Sequence, residues 1–397
     1  MRVITLVVTA SASVLATNLF VSSYAGDISS LALSESRGVY NLTKTSTTAD
    51  CGPNPSWLTI DVEQGLLFCL NEGLTTPNGS LSSFTISHDG SLTHVQNTTT
   101  ISGPVNGVIY GNPLVKRGIA LAHYTGSAVT AYCLEDAGHF EAIQSLQFTL
   151  AAPGAVPERQ DAPHEHEAIT DPTGRYLLVP DLGADLVRVF AIDADTLELT
   201  ATAPLSTVPG TGPRHAAFYN PYAVVCESCT TFLYVVGELS SDVTGYAVTY
   251  LSDGSGLNFT QVYQSSTLGL LNHERINAPA EVHVSPDNRF LIISNRNSTL
   301  FSLPNRDPKN STTIPSDSLT TFSLQRDGSL VFVQAWPSGG LYPRQFTLDS
   351  TGSLVAVGNQ LSGNVVILSR DVGTGLIGEP VAVTAIEGNV TCVVFDA

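Results

Sequence analysis

The stretch "EAITDPTGRYLLVPDLGADLVRVFAI", residues 167–192, decides the fold. It holds a short apolar start, the turn Asp171-Pro172-Thr173-Gly174, the run Tyr176–Val179, a polar loop around Asp181–Asp185 and a third apolar run ending at Ile192. The runs are short and rich in β-branched, leucine and aromatic residues, with no helical spacing, so they read as antiparallel strands. Asp-Pro-x-Gly is turn chemistry: proline presets φ, the aspartate side chain caps local N–H groups, and glycine takes the left-handed position. The same succession returns in "WLTIDVEQGLLFCLNEG", "AAFYNP" with "TFLYVVGELSSDVTGYAV", "EVHVSPDNRFLIISNRNSTLFSL" and "RQFTLDSTGSLVAVGNQLSGNVVIL". A weaker copy is "GVIYGNPLVKRGIALAHYTGSAVTAYCL". The opening "NLFVSSYAGDISSLAL" supplies only the later part of a unit, and the closing "VTCVVFDA" supplies a strand to complete it. Units recurring at roughly 50 residues predict an all-β protein, a seven-bladed β-propeller whose N- and C-terminal strands share one blade and close the ring.

The rest of the chain bounds the environment. Residues 1–16, "MRVITLVVTASASVLA", have one basic residue, an apolar core and small residues before a cleavage point after Ala16, as in a secretory signal. The alternative is a membrane anchor, but the apolar run that follows fits a strand better. Residues 17–397 are then a single propeller domain, expected to be secreted and extracellular, in contact with the cell wall or free, with no membrane span after signal removal. Seven sequons, at Asn41, Asn78, Asn97, Asn258, Asn297, Asn310 and Asn389, fit a glycosylated export product. Six cysteines suit an oxidising compartment. Cys51 and Cys69 bracket a short strand pair and are the first choice of bridge; Cys226 and Cys229 form a CxxC read as a local loop disulfide, since no helix follows it. Cys133 and Cys392 remain, buried or bridged. A formal net charge of −18 argues against nucleic acid or an anionic membrane as partner. Lysine is confined to Lys44, Lys116 and Lys309, so an anion site must draw on arginine or histidine.

Strand alternation sorts the candidate residues by face. The turn between the first two strands of each unit lies on one face of the disc. The segment entering the first strand and the loop after the second lie on the other. On the first face, Arg175 and Arg289 read as solvated turn residues. The second face collects His164, His166, Arg214, His215 and Arg344 from entering segments. It also collects Glu72, His123, Tyr124, Asp181, Glu238, Asn295, Arg296 and Gln360 from second loops. In a closed ring these all rim one central mouth. Along an extended segment, residues 164 and 166 point the same way, so at least one of the two imidazoles should face the mouth, His166 first.

At these residues the chain resembles the seven-bladed lactonase family, which includes 6-phosphogluconolactonase-type propellers and the fungal 3-carboxy-cis,cis-muconate lactonizing enzyme. The matching motifs are "PHEHEAITDPTGRYLLVPDLGADLVRVF", "GPRHAAF", "LYVVGELSSDVTGY", "VSPDNRFLIISNR" and "PRQFTLDSTGSLVAVGNQLSGNVVI", spread from about residue 18 to 397. The resemblance implies a metal-free, cofactor-free site with His166, or its neighbour His164, as functional histidine, Arg214 and Arg296 as arginines and Glu238 as acid. "GELSSDVTGY" and the "TCVVFD" ending are more similar to the fungal enzyme, which implies a carboxymuconate cyclase-like cycloisomerase or lactonase acting on a small anionic acid or its lactone. In that chemistry Arg214 and Arg296 hold the anion and the developing charge, His166 and Glu238 move the proton, and His164, Arg344, Glu72 and His123 bind substrate. Two features depart from the family: the export signal and the inserted "NPYAVVCESCTT". Three alternatives stand beside this reading. One is a sugar-lactone hydrolase of the 6-phosphogluconolactonase type. Another is a calcium-dependent propeller lactonase drawing on Glu72, Asp181, Asn295 and Glu238. The last is a non-catalytic secreted glycoprotein with a cell-surface or adhesion role. The plainer reading of the histidines is a hydrogen bond to the next blade, and of the Pro-Arg pairs a tie to neighbouring carbonyls.

Overall fold

A computed structural model describes residues 16–223, 229–271, 277–305 and 309–396. Within these the regular structure is strand, apart from one short 3₁₀ turn at Asp136–Gly138. Seven antiparallel sheets succeed one another as propeller blades. Blade 2 runs from Pro55 to Thr100, blade 3 from Pro104 to Gln147, blade 4 from Ile169 to Ser206 and blade 5 from Pro213 to Ser266. Blade 6 spans Ala278–Pro337 and blade 7 Pro343–Ala385. Blade 1 is composite: Val390–Phe395 is its innermost strand and pairs with Ala16–Ser23, which continues outward to Ile28–Ser36 and Val39–Thr48. The seven-bladed ring expected from the repeat, with its shared terminal blade, is the architecture observed.

Local chemistry accounts for the blade. In blade 4 the Asp171 carboxylate accepts N–H bonds from Thr173, Arg175 and Tyr176 at 2.7–2.9 Å. Gly174 there sits at φ +70°, where a side chain would be strained. Asp349 repeats the device in blade 7 by accepting the Leu354 N–H at 2.7 Å. The strands that follow these turns are buried from end to end, as at Tyr176–Asp181 and Thr231–Gly237, because a neighbouring blade covers each face. Outermost strands alternate with solvent instead, as at Leu92–Thr100.

The core is accordingly divided among the blade interfaces. Leu177 and Val179 of blade 4 pack on Ala120 and Val129 of blade 3, whereas Leu178 and Val189 face Leu233 and Val235 of blade 5. Closure uses the same packing: Leu19, Val393 and Phe395 of blade 1 bury against Ala356, Val365 and Ile367 of blade 7. Val390, Cys392 and Val393 are fully buried.

The chain departs from the repeat at two places. The first strand of blade 4 is only Ile169–Thr170, and the Ala- and Pro-rich residues 151–168 before it form irregular chain. In blade 6 the run taken as the third strand, "STLFSL", does not enter the sheet. Phe301–Pro304 pairs with Thr313–Ser316 as a separate hairpin, and Ser318–Leu324 is the third strand. The side-chain alternation of 301–304 suited either role, so the sequence pattern alone did not separate them.

Cys51 and Cys69 form a disulfide across 18 residues. Cys229 is also disulfide-bonded, while its expected partner Cys226 lies outside the described residues. Cys133 and Cys392 are free thiols. Arg175 is half-buried against the rings of Tyr176 and Tyr250, so it is more than a solvated turn residue. All seven sequon asparagines are exposed. Among the described residues no helix is long and apolar enough to cross a membrane.

Deleting residues 390–397 should abolish cooperative thermal unfolding, because it opens the ring and leaves the edge of Ala16–Ser23 unpaired; circular dichroism melts of full-length and truncated protein check this. Replacing both Cys51 and Cys69 by serine should destabilise the fold by about 2–4 kcal/mol in denaturant titrations. Non-reducing peptide maps of the wild type should recover the Cys51–Cys69 link.

Candidate active site

All seven blades send residues to one cavity of about 270 Å³ at the axial mouth. Blade 1 supplies Tyr24, blade 2 Glu72, blade 3 Tyr124 and blade 5 both Arg214 and Glu238. Arg296 comes from blade 6, Tyr342, Arg344 and Gln360 from blade 7, and His166 from the segment entering blade 4. Each lies at the entry to a first strand or at the end of a second, on the face that strand alternation assigns. Arg159 is added by the irregular segment between blades 3 and 4.

Glu238 organises the cationic side. Its Oε2 lies 2.9 Å from Arg214 Nε and 2.7 Å from Arg296 Nη2, and its Oε1 lies 2.6 Å from Arg159 Nη2. Burial alone would raise its pKa, but Arg296, Arg214 and Arg159 outweigh burial and hold it down to about 2. A carboxylate so depressed is a weak base and carries no proton to donate at neutral pH. The acid/base role expected of Glu238 therefore gives way to another: it fixes the arginines. Arg296 is also tied to the Ala278 carbonyl at 3.0 Å and lies over the Tyr342 ring. Arg214 is 2% exposed, and its Nη1 has no hydrogen-bond partner among the described residues. Burial, followed by repulsion from Arg296, pushes its pKa down to about 9, which still leaves it charged at neutral pH.

Across the cavity, Arg344 donates to the Tyr24 hydroxyl and packs over its ring, and that hydroxyl donates to Glu72. Burial opposes the charge on Arg344, but Tyr24 and Glu72 outweigh it and raise its pKa. Arg159, Arg214, Arg296 and Arg344 thus face Glu72 and Glu238 in one cavity. This is a cationic recess in a chain of formal charge −18, built to receive an anion.

The two histidines of the entering segment part company. His166 lines the cavity. Its Nδ1 lies 3.2 Å from His215 Nε2, and its Nε2 makes no hydrogen bond among the described residues. Burial and then the charges of Arg214, Arg344 and Arg296, together with His215, push its pKa well below 6.5, so the ring is neutral at physiological pH. His164 does not reach the cavity, contrary to its expected substrate-binding role. Its Nδ1 is 2.8 Å from the Tyr124 carbonyl and its Nε2 is 3.0 Å from Asp161, while its ring stacks on Tyr124. Alternation fails here because 164–166 is irregular chain with a single bridge, Glu165 to Asp181, and each ring is oriented by its own partners.

His123 is also displaced from the expected site. It is fully buried, with Nδ1 3.1 Å from the Ile101 carbonyl and Nε2 2.9 Å from Thr130 Oγ1. It ends a strand, so the next residue, Tyr124, takes the opposite direction and lines the cavity in its place. Arg159, Tyr24 and Tyr342 were missed. Tyr24 and Tyr342 occupy the same two blade positions as the residues that were found, and those positions were the available signal. Arg159 has no repeat position to mark it.

The donors weighed for calcium do not converge. Asp181 is paired with Arg188, Asn295 is bonded to Asn277 and Thr320, and Glu238 is held by arginines. Among the described residues, Glu167, His215 and Glu281 alone bring three potential metal-ligand atoms within 4.8 Å of one another. That set lies beside Arg214, whose charge opposes a cation, and His215 Nδ1 is already 2.9 Å from Glu281 Oε1.

Comparison with known proteins agrees with this fold. Residues 18–395 match the family described as "Lactonase, 7-bladed beta-propeller". The chain belongs to this family. It is 30% identical over 359 residues to an Arthroderma benhamiae protein named "Probable 6-phosphogluconolactonase", covering 90% of this chain and 83% of that one. It is also 30% identical over 261 residues to a 6-phosphogluconolactonase from Formosa agariphila, spanning 65% of each chain. Among solved structures, a Pseudomonas aeruginosa periplasmic gluconolactonase superposes with TM-score 0.76 at 24% identity, covering 96% of this chain and 99% of that one. At that identity the likeness establishes the fold alone.

The Glu238 clasp makes a prediction about stability. Its folded pKa of about 2 lies below the ordinary 4.5, so the stability it contributes is present above pH 4.5 and lost as pH falls toward 2. Glu238→Gln should be less stable than wild type by roughly 3 kcal/mol at pH 7. That difference should shrink toward pH 2 in urea titrations run across the range.

Proposed function

We propose that this protein hydrolyses an anionic sugar-acid lactone of the 6-phosphogluconolactone type. The observation that carries the reading is one cavity holding a neutral, cavity-lining histidine among four arginines. His166 Nε2 takes a proton from water as the water oxygen attacks the lactone carbonyl. Arg214 and Arg296 meet the oxyanion. The ring C–O bond then breaks, and the proton held by His166 passes to the departing alkoxide, giving the hydroxy acid. Arg344 and Arg159 are suited to a phosphate or carboxylate elsewhere on the substrate. These steps use side chains alone.

The same arginines would suit the cycloisomerase that the sequence motifs brought forward. The relatives above are named for lactonases, and this favours hydrolysis over cyclisation. Export is part of the proposal. It is supported by the signal-like residues 1–16, the Cys51–Cys69 bridge and the exposure of every sequon asparagine.

A screen of 6-phosphogluconolactone, gluconolactone, muconolactone and 3-carboxy-cis,cis-muconate tests the assignment. Anionic lactones should turn over fastest, and activity should survive a chelator. Cyclisation of the muconate without lactone hydrolysis would favour the cycloisomerase, and inertness toward all four would favour a binding protein. His166→Ala should lower kcat about 10²–10⁴-fold with the melting temperature nearly unchanged. Arg214→Ala should impair both KM and kcat, since it meets charge in ground and transition states. Because catalysis requires neutral His166 and charged Arg214, kcat/KM should hold through neutral pH, fall on an acid limb below pH 6.5 and fall again above about pH 9.

A further inference from the structure

Behind His166 lies a buried chain of groups with no direct contact with the cavity. His215 is 1% exposed and belongs to the innermost strand of blade 5, Pro213–Tyr219; Glu281 is 1% exposed and belongs to that of blade 6, Ala278–Val284. His215 Nδ1 lies 2.9 Å from Glu281 Oε1, and His215 Nε2 lies 3.2 Å from His166 Nδ1. The Val282 N–H also donates to Glu281 Oε1, at 3.1 Å. Glu167, the other nearby acid, is 3.6 Å from His215 Nδ1, outside hydrogen-bond reach, and its Oε2 accepts the Ala216 N–H at 2.6 Å.

These contacts leave one consistent assignment of protons. An ionised carboxylate only accepts, and a neutral imidazole has one donor and one acceptor nitrogen. Glu281 is the ionised member of the acid pair: burial would raise its pKa, but His215, His283 and Arg214 bring it down, whereas burial and the charge of Glu281 hold Glu167 well above its ordinary value. Nδ1 of His215 must then carry the hydrogen facing Glu281. Burial keeps His215 neutral, with its pKa lowered to about 4, so its Nε2 is a bare acceptor. His166 Nδ1 must therefore be the donor to it. The opposite tautomers would set a bare Nδ1 against the Glu281 carboxylate, two acceptors at 2.9 Å with no water between them.

We propose that Glu281 and His215 are positioning residues that fix His166 as its Nδ1–H tautomer, leaving Nε2 as the proton-accepting nitrogen on the ring edge opposite His215. Glu281 acts through two imidazoles and across three blades. Among the described residues Glu281 is the hydrogen-bond partner of His215 Nδ1, and through it selects which His166 nitrogen is bare. As His166 takes a proton, its Nδ1–H bond to His215 strengthens, and the Glu281 carboxylate stabilises the new charge through that bond.

The proposal rests on the hydrolase reading for its catalytic consequence, but the tautomer itself is measurable without turnover. Protein labelled with ¹⁵N-histidine should give, at pH 7.5, resonances for His166 and His215 that both have a protonated Nδ1 and a bare Nε2. Assignment follows from the signals lost in His166→Gln and His215→Gln. An Nε2–H form of His166 would overturn the proposal. In the kinetic arm, Glu281→Met should lower kcat for the best lactone about 10–100-fold with a smaller change in KM, since Glu281 pairs with His215 and not with the clasp arginines. Added to His166→Ala, it should have no further effect. An equal loss in the His166→Ala background would mean a merely structural role and would overturn it. If Glu281→Met does not fold, Glu281→Gln takes its place in the same cycle, with an intermediate loss expected. If no lactone is hydrolysed, the hydrolase reading fails and the tautomer measurement alone decides the relay.

Discussion

The pairing of Leu19–Ser23 with Val390–Phe395 is the constraint on which the cavity depends. Each blade is a single sheet of four strands, five in blade 4, too small to bury its own apolar faces, and its core is shared with the blades on either side. A ring of this kind gains its last interface only on closure. Here that interface joins residues separated by nearly the whole chain, so its loop-closure entropy falls late and large. The cavity inherits the dependence. Tyr24 and Arg344 meet only because blade 1 is seated against blade 7, and their contact opposes the Glu238 clasp across the mouth.

Inside the closed ring the governing term is electrostatic. Bringing four guanidinium groups around 270 Å³ is costly, and Arg214 registers that cost in its lowered pKa. One buried carboxylate, Glu238, contacts three of the four. A hydrophobic isostere at that position would leave like charges facing one another without a counterion, so the pair geometry, not packing, is what permits the cluster. The carboxylate is thereby saturated. It can hold arginines in place for a ligand, while its depressed pKa disfavours proton exchange near neutral pH; on the proposed function that exchange falls to His166.

Much of this was legible in the sequence because a repeat converts order along the chain into position on a face. Once the units were aligned, Glu72, His166, Arg214, Glu238, Arg296 and Arg344 fell at two blade positions that share one mouth, and all six line the cavity. Tyr24 and Tyr342 stand at those same positions. Finding Tyr24 required counting Val390–Phe395 as the first strand of its blade, so that residues 24–27 become a second loop. Where the chain leaves the repeat the rule lapses. Arg159 belongs to irregular chain, His164 is turned by Asp161 and the Tyr124 carbonyl, and the blade 6 hairpin keeps strand alternation while leaving the sheet. At His123 and Tyr124 a one-residue difference in register reverses which side chain faces the cavity.

Placing a neutral base among four cations has a consequence for how binding and chemistry are linked. Burial, and then the field of Arg214, Arg344 and Arg296, disfavours the imidazolium form of His166, so in the free protein the ring is neutral and a reluctant proton acceptor. On the proposed function, an anionic substrate seated among these arginines cancels part of that field. The imidazolium then becomes less costly, and the histidine becomes more basic in the complex than in the free protein. A neutral lactone of the same shape would occupy the cavity without that relief. Charge on a non-reacting part of the substrate would thus be spent on the proton transfer as well as on binding, which is the form of selectivity that raises kcat and not merely affinity. Glu281, reaching His166 through His215, works in the same direction from the other side of the ring, so that substrate and protein stabilise one transferred proton from opposite edges of a single imidazole.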